Sequence, residues 1–443
     1  MDELTGLTIE LLQTMIRNKC VNDGTVRSGN ESRNADTLEA FLDGSGADIQ
    51  RFEPSPGRVS LVARLNGSNP SAPSLCLMGH TDVVPVDEEG WTRDPFGGEL
   101  VDGEIWGRGA VDMLNMTASM AVAFRQLAVR GPRSQGDLVY LAVADEESGG
   151  KYGAGWMVNH EPEAIRADYV LTEGGGLQSG NRDAPYVGIA VAEKGAAWRR
   201  LRIHGTPGHG SQPWRSDNAL VHAALVIERL AAYNAPVVFN DLWRLRVNAL
   251  DLPEDIRDAL LDPKRIDEAL ADIPNVTLAS DLHACTHTTF SPNVIAGDMK
   301  INVIPGTVDL SVDIRTLPGQ DPTEVEKQLR YALGDLSNCI EIEPILTSPA
   351  TESSVTSPLW YGLGRAIARQ IPKARLVPQL IPSTTDARIY RRSGSTAYGV
   401  ELFSPNLDYD DYAQRFHGND ERIDVESLRL TANLWLDVVE ELL

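Results

Sequence analysis

At 443 residues the chain is long for one compact unit, since domains usually take about 100–200 residues, so two are expected. Forty Lys and Arg stand against 63 Asp and Glu, a net charge of −23, and such a surface repels phosphate backbones and argues against a nucleic-acid partner. No run approaches the ~18 apolar residues of a membrane span, the start Met1-Asp2-Glu3-Leu4-Thr5-Gly6 lacks a secretory pattern, and the scattered cysteines Cys20, Cys76, Cys285 and Cys339 form no closely spaced pair; a cytoplasmic protein with reduced thiols and no membrane association is expected.

The first helix is expected over Leu7 to Ile16, where Leu7, Leu11, Leu12, Met15 and Ile16 share a face. Asp36-Thr37-Leu38-Glu39 reads as a capping box opening a second helix, with Gly44 past its end. Short apolar runs follow at Ser60–Leu65 and Leu75–Gly79. A helical stretch runs from Met113 to Val129 and is closed by Gly131. Continuous apolar strands then stand at Leu138–Val143 and Tyr169–Thr172. Apolar strands alternating with helices predict an α/β domain whose mostly parallel sheet is buried on both faces.

The pattern changes near Glu193. Trp198 to Ile203 alternates apolar and charged residues, as a one-sided strand does. A helix is expected over Asn218–Ala231. Met299–Ile304 and Thr307–Ile314 flank Pro305-Gly306 and read as a hairpin. A helix over Thr323–Leu333 and a strand near Ile340–Ile345 complete an α+β unit with an open sheet. The stretch between Val237 and Asp281 reads as a partly helical insertion. After Ser353 the chain returns to the first domain and ends in a helix from Val425 to Leu442, capped by Asp424. The expected organisation is one domain of residues 1–193 and 351–443 with a second, α+β domain of residues 194–350 inserted in it.

Ligands of open parallel sheets bind beyond the carboxyl ends of the strands. His80-Thr81-Asp82 follows the Leu75–Gly79 run, Asp145-Glu146-Glu147 follows Leu138–Ala144, and Glu173-Gly174-Gly175-Gly176 follows Tyr169–Thr172. Asp112 precedes a helix in Trp106-Gly107-Arg108-Gly109-Ala110-Val111-Asp112, and His417 stands in a late loop. Taken singly, each has an ordinary reading as a surface turn or a packed histidine. Converging, they would be a cluster of like charges that needs a cation. Carboxylates with imidazoles suit divalent transition metals, zinc first, and the set is large enough for two ions sharing a carboxylate. Glu146 and Glu147 are adjacent, so one can bind metal while the other stays free as a base. Asp82 could orient His80 as an outer partner.

Seven segments in their order and spacing resemble the di-zinc family that includes acetylornithine deacetylase, succinyl-diaminopimelate desuccinylase, aminoacylase-1 and bacterial glutamate carboxypeptidase. They are Gly79–Pro85, Trp106–Asp112, Asp145–Glu147, Glu173-Gly174, Gly205–Ser211, Asn302–Gly306 and His417-Gly418, and they span nearly the whole chain. The resemblance implies two divalent metal ions, zinc first with cobalt or manganese as alternatives. It implies that His80 and Glu173 bind one ion, Glu147 and His417 the other, and Asp112 both. It makes Glu146 the general base and Asp82 the partner of His80. It makes residues 1–193 and 351–443 a catalytic domain and residues 194–350 a lid; His209 would match a lid histidine that reaches a partner subunit's active site in family dimers, so a homodimer through the lid is a further expectation. Asn302 and Arg315 match a lid pair that holds a substrate carboxylate, and Arg388 matches a segment near the substrate, although it could equally pair with Asp386.

The implied activity is hydrolysis of an amide or peptide bond in a small carboxylate-bearing substrate, of N-acyl amino acid deacylase or carboxypeptidase type. A dipeptidase or aminopeptidase, or a catalytically silent metal-binding relative, remains the alternative. Two positions refine the pattern. Asp112 is followed by Met113-Leu114-Asn115 where many members carry Met-Lys-Gly. Glu173 stands where aminopeptidase relatives tend to carry aspartate, which by resemblance favours deacylases and carboxypeptidases.

Overall fold

The computed structural model describes residues 2–131, 135–297 and 300–443. Every residue of strand Leu75–His80 is buried, with Leu75 and Leu77 packing into one core layer and Cys76 and Met78 into another. Burial on both faces is why these runs are apolar without alternation. Leu75–His80 pairs in parallel with Leu138–Val143 on one side and Tyr169–Thr172 on the other, and Thr396–Gly399 adds to the latter, also in parallel. The expected parallel core is therefore present. Arg58–Leu65 and Asp48–Ser55 extend one edge in antiparallel fashion, and Tyr186–Glu193 meets Thr396–Gly399 antiparallel on the other, so the whole sheet is mixed.

Helices cover both faces. Leu12 of Glu3–Arg17, Phe124 of Leu114–Arg130, Leu363 of Pro358–Gln370 and Trp435 of Val425–Leu442 fill one layer, while Met157 and Tyr390 from shorter helices fill the other. Burying one such large side chain contributes roughly 1.5–3 kcal/mol. Trp435 is fully buried and keeps its indole N–H satisfied by Ser119 Oγ at 2.9 Å. Asp424 caps the last helix, accepting from Ser427 N at 2.8 Å.

A second sheet has its own core. Thr307–Thr316 pairs antiparallel with Arg199–His204 and with Thr289–Ala296, and Ile340–Pro344 extends the Arg199–His204 side. Val308, Leu310, Val312 and Ile314 point to helices Ala219–Ala231 and Pro322–Leu333 and are buried with Val226 and Leu329. Asp309, Asp313 and Arg315 occupy the alternate positions and are half-buried.

Three details differ from the sequence expectations. The second helix is Ser32–Leu42 and does not start at Asp36; the Asp36 and Glu39 carboxylates are both taken by Arg51 at 2.7 Å. Pro305-Gly306 does not turn a hairpin of two long strands. Only Val303–Ile304 is strand there, and it pairs with Gly208–His209, while the long partner of Thr307–Thr316 is Thr289–Ala296. Met299 lies outside the described residues, Ile301 is fully exposed and only Ile304 of the described part of this run is buried. Finally, the helices from Asp241 to Ala284 send Trp243, Val247, Leu260 and Leu282 into the core of the main sheet and not into that of the second one.

Candidate metal centre

The strand ends converge as the sequence reading anticipates. His80 closes its strand and is 1 % exposed. The strand and helix Leu114–Arg130 approach so closely at Gly79 that a Cβ there would lie 2.3 Å from Thr117 Oγ1, and that hydroxyl donates to the His80 carbonyl at 2.7 Å. After Thr172, Gly174, Gly175 and Gly176 all take positive φ, a path that side chains other than glycine rarely follow, and this folds Glu173 toward the strand ends. Glu146 and Glu147 sit on the short turn Glu146–Ser148, and His417 follows helix Tyr409–Arg415.

Two triads share one carboxylate. His80 Nε2 lies 3.1 Å from Asp112 Oδ1 and 3.8 Å from Glu173 Oε2. His417 Nε2 lies 3.2 Å from Asp112 Oδ2 and 3.4 Å from Glu147 Oε2. Within each triad the ligand atoms all stand within 4.8 Å of one another. Asp112 thus offers one oxygen to each group. His80 Nδ1 is 2.9 Å from the Asp82 carbonyl; a carbonyl only accepts, so Nδ1 carries a proton, and Nε2, which donates to Asp112, is the nitrogen that would turn a lone pair to an ion on losing its own proton.

The electrostatics describe a site short of positive charge. Burial, then the Asp112 charge, raises the Glu147 carboxyl above its usual range. Burial, then the Glu146 charge, raises Glu173. For Glu146 burial comes first and the Asp386 charge next. Asp112 goes the other way, because hydrogen bonds from His417 and His80 outweigh burial. His417 is pushed up to about 10 by Asp112 first and Glu147 next. Glu147 Oε1 is buried with no hydrogen-bond partner among the described residues. Crowded carboxylates, an orphaned oxygen and two aimed imidazole nitrogens fit two divalent cations sharing Asp112, with no thiolate in the set.

Outer contacts hold the donors. The Asp82 carboxylate lies 3.7 Å from His80 Nδ1 and is engaged elsewhere: it accepts from the Glu146 and Glu147 main-chain N–H groups, each at 3.2 Å, and from Asn22 at 2.8 Å. Asp82 thus touches His80 through its carbonyl and orients the Glu146 turn through its side chain. Glu421 accepts from Val111 N at 2.7 Å, Asp112 N at 3.1 Å and Arg108 at 2.7 Å, and Arg108 also reaches the His417 carbonyl at 3.2 Å. One buried ion pair therefore clamps the Asp112 and His417 loops together. Asn22 and Glu421 were not singled out from sequence. Asn22 lies in no motif, and Glu421 carried only the hint of standing four residues after His417.

The remaining site residues are spread. Arg388 is nearly buried and donates to the carbonyls of Thr385 and Gly149, the latter at 3.0 Å, with Asp386 3.7 Å away. Both Asp386 carboxylate oxygens are buried without a hydrogen-bond partner among the described residues. Arg315 makes two hydrogen bonds to Asp313, at 2.8 and 3.1 Å, and its Nη1 lies 3.5 Å from Thr384 Oγ1 beside the Asp386 segment. His209 and Asn302 are exposed at the opposite end of the lid. His209 Nδ1 contacts Ser211 Oγ at 2.7 Å, and the Asn302 carbonyl accepts from Gly210 N at 2.9 Å. Roughly 27 Å of extended strand at about 3.4 Å per residue separates Arg315 from Thr307, where the lid tip begins. Asn302 and Arg315 therefore do not converge within one subunit.

The family model for peptidase family M20/M25/M40 matches residues 76–441. Aminoacylase-1A of Rattus norvegicus is 30% identical over 365 residues, 81% of this chain and 78% of that one. N-fatty-acyl-amino acid synthase/hydrolase PM20D1 of Homo sapiens is 25% identical over 439 residues, 94% of this chain and 85% of that one. Among solved structures, the metallo-carboxypeptidase Sso-CP2 from Sulfolobus solfataricus superposes with a TM-score of 0.70 at 19% identity, covering 100% of this chain and 99% of that one, and so shares the fold. With a matched model over most of its length and paired ligand groups at the strand ends, this chain belongs to peptidase family M20/M25/M40 and is a metal-dependent hydrolase.

Proposed function

We propose that the protein is a zinc-dependent deacylase or carboxypeptidase that cleaves the amide bond of a small substrate carrying a carboxylate, with N-acyl amino acids as the favoured class. The observation that carries this is the sharing of Asp112 between two ligand triads beside the unligated Glu146. The names of the relatives, an aminoacylase and an N-fatty-acyl-amino acid synthase/hydrolase, support the substrate class. The unpaired state of all four cysteines supports a cytoplasmic setting.

His80, Glu173 and Asp112 Oδ1 would hold one ion, and His417, Glu147 and Asp112 Oδ2 the other. Such ions supply a water of lowered pKa and polarise the scissile carbonyl. Glu146 takes the proton of the attacking water and returns it to the leaving nitrogen. Burial and the nearby Asp386 raise its proton affinity, which suits a group that must hold a proton between two steps. Arg315, planar and permanently charged, binds the substrate carboxylate on the helix-free face of the lid sheet. His209 and Asn302 act from a second subunit, His209 as a donor to the oxyanion. The span of the lid supports this, as do the exposed Val221 and Leu225 on one helix face and Val294 and Ile295 on the edge strand, an apolar surface suited to a homodimer.

The test is a panel of N-acyl amino acids and unblocked dipeptides offered to zinc-loaded protein. Hydrolysis of the acylated compounds, abolished in Glu146→Gln, is expected. Turnover of the free dipeptides alone would overturn the substrate class.

A further inference from the structure

The lid joins the main sheet through the dipeptide Glu193-Lys194, where strand Tyr186–Glu193 ends and Gly195–Ala196 begins. Both side chains are fully buried, 1 % and 0 % exposed, and neither has a part in the chemistry above. Burying two charges is costly unless each is fully partnered, and both are. Glu193 Oε1 meets Arg391 at 3.1 Å and accepts from Thr351 Oγ1 at 2.8 Å. Its Oε2 accepts from Thr385 N at 2.6 Å and Thr385 Oγ1 at 3.2 Å. Lys194 Nζ donates to the Ala284 carbonyl at 2.8 Å, the His287 carbonyl at 2.7 Å and Thr289 Oγ1 at 3.3 Å. Thr289 stands opposite Arg315 in the lid sheet. One residue of the dipeptide thus grips the catalytic side, and the next grips the segment Ala284–Thr289 that leads into the lid strand Thr289–Ala296.

On the catalytic side the contacts continue inward. Thr385, held by Glu193, gives its carbonyl to Arg388, and Arg388 donates to the Gly149 carbonyl at 3.0 Å. Gly149 N donates to the Glu146 carbonyl at 2.8 Å, closing the turn that carries the general base. The Arg388 guanidinium is therefore engaged by main chain on two sides.

We propose that Glu193 and Arg388 are positioning residues, a strut of hydrogen bonds from the lid attachment through Thr385 to Gly149 that fixes the Glu146 turn relative to the lid. The functional half of this rests on Glu146 acting as the base. The structural half does not. Fixing the base within a fraction of an ångström is what the strut contributes, so its loss lowers kcat more than it raises KM.

The test compares Glu193→Ala, Glu193→Gln, Arg388→Lys and the Glu193→Ala/Arg388→Lys double variant, each zinc-loaded and assayed on the best substrate of the panel. Misplacing a catalytic group by about 1 Å costs up to about 100-fold, so Glu193→Ala and Arg388→Lys should each lower kcat by about 10- to 100-fold with KM within about threefold. Metal content should match the parent. Glu193→Gln keeps an oxygen for Thr385 N and should recover most of the loss. The double variant should be little worse than the poorer single, since both cut one path. Arg388→Lys leaves the Glu193–Arg391 pair intact and serves if Glu193→Ala fails to fold. Hydrogen exchange of the 146–150 amides should quicken in Glu193→Ala or Arg388→Lys whether or not the parent turns over any panel compound. A parent silent on the panel would sink the proposed substrate class and leave exchange to decide the strut. Unchanged exchange, losses that multiply in the double variant, or an effect confined to KM would overturn the strut.

Discussion

The candidate metal cluster and the lid tip are placed in different ways. Four of the cluster's five residues stand at the ends of buried strands or at a helix start, and His417 is clamped to them by Arg108 and Glu421. The cluster is assembled within one chain before anything binds. His209 and Asn302, by contrast, lie exposed on a two-stranded tip far from Arg315. The contrast teaches that one chain's fold is enough to bring the first group together, whereas the second stands apart from it and joins it only if, as proposed, another subunit supplies it.

The sharpest way to break that contrast is to remove the shared ligand. Asp112→Ala should lose both ions, and with them all measurable turnover, in a metal analysis run beside the activity assay; an ion pair retained in full would dissolve the cluster as drawn. Glu146→Gln should keep both ions yet lose turnover by about 100- to 10,000-fold, the range for a positioned acid–base group. Comparable loss of metal in that variant would move Glu146 into the ligand set.

The lid side is probed by His209→Ala, whose kcat should fall by about 100- to 1000-fold, as for removal of one oxyanion donor. Mixing it with Glu146→Gln should restore part of the activity, because each mixed dimer has one intact composite site. Two variants that stay dead on mixing would place His209 in its own subunit. Arg315→Ala, which removes a bidentate cation, should chiefly raise KM for substrates with a free carboxylate and spare their esters.

The smallest effect concerns protons. Without metal His417 is raised to about 10 by Asp112 first and Glu147 next, and His80 is raised by Asp112 and Glu173 against the effect of burial. Each ring must give up its proton to bind an ion. Metal affinity should therefore weaken as pH falls below about 10, by about tenfold per pH unit for each proton expelled. Zinc competition titrations at two pH values, paired with proton release in buffers of different ionisation heat, measure this. An affinity flat between pH 6 and about 9 would mean that the rings are already neutral.

His80, Asp145-Glu146-Glu147 and Glu173 stood out as candidates because each follows an apolar strand at once with a carboxylate or imidazole. Asp112 and His417 lie outside that pattern, and which of Glu146 and Glu147 would bind metal rested on the family resemblance. Asn22 and Glu421 were not legible. Asn22 reaches Asp82 across 60 residues, and Val111 N reaches Glu421 across 310. No spacing rule spans such distances. Asp36 misled for a related reason, since a capping pattern is local and Arg51 on a neighbouring strand claimed both of its carboxylates.

By itself the sequence determined the buried strands Leu75–Gly79, Leu138–Val143 and Tyr169–Thr172, the helices near them and the acidic and imidazole groups at the strand ends, because burial periodicity and strand-end chemistry are short-range properties. Only the tertiary structure decided that Asp112 turns one oxygen to each triad, that Asp82 serves the Glu146 turn more than His80, and that the Asp241–Ala284 helices pack on the main sheet. Those outcomes depend on which distant groups compete for the same hydrogen bonds and the same apolar surface, and that competition exists only once the chain is folded.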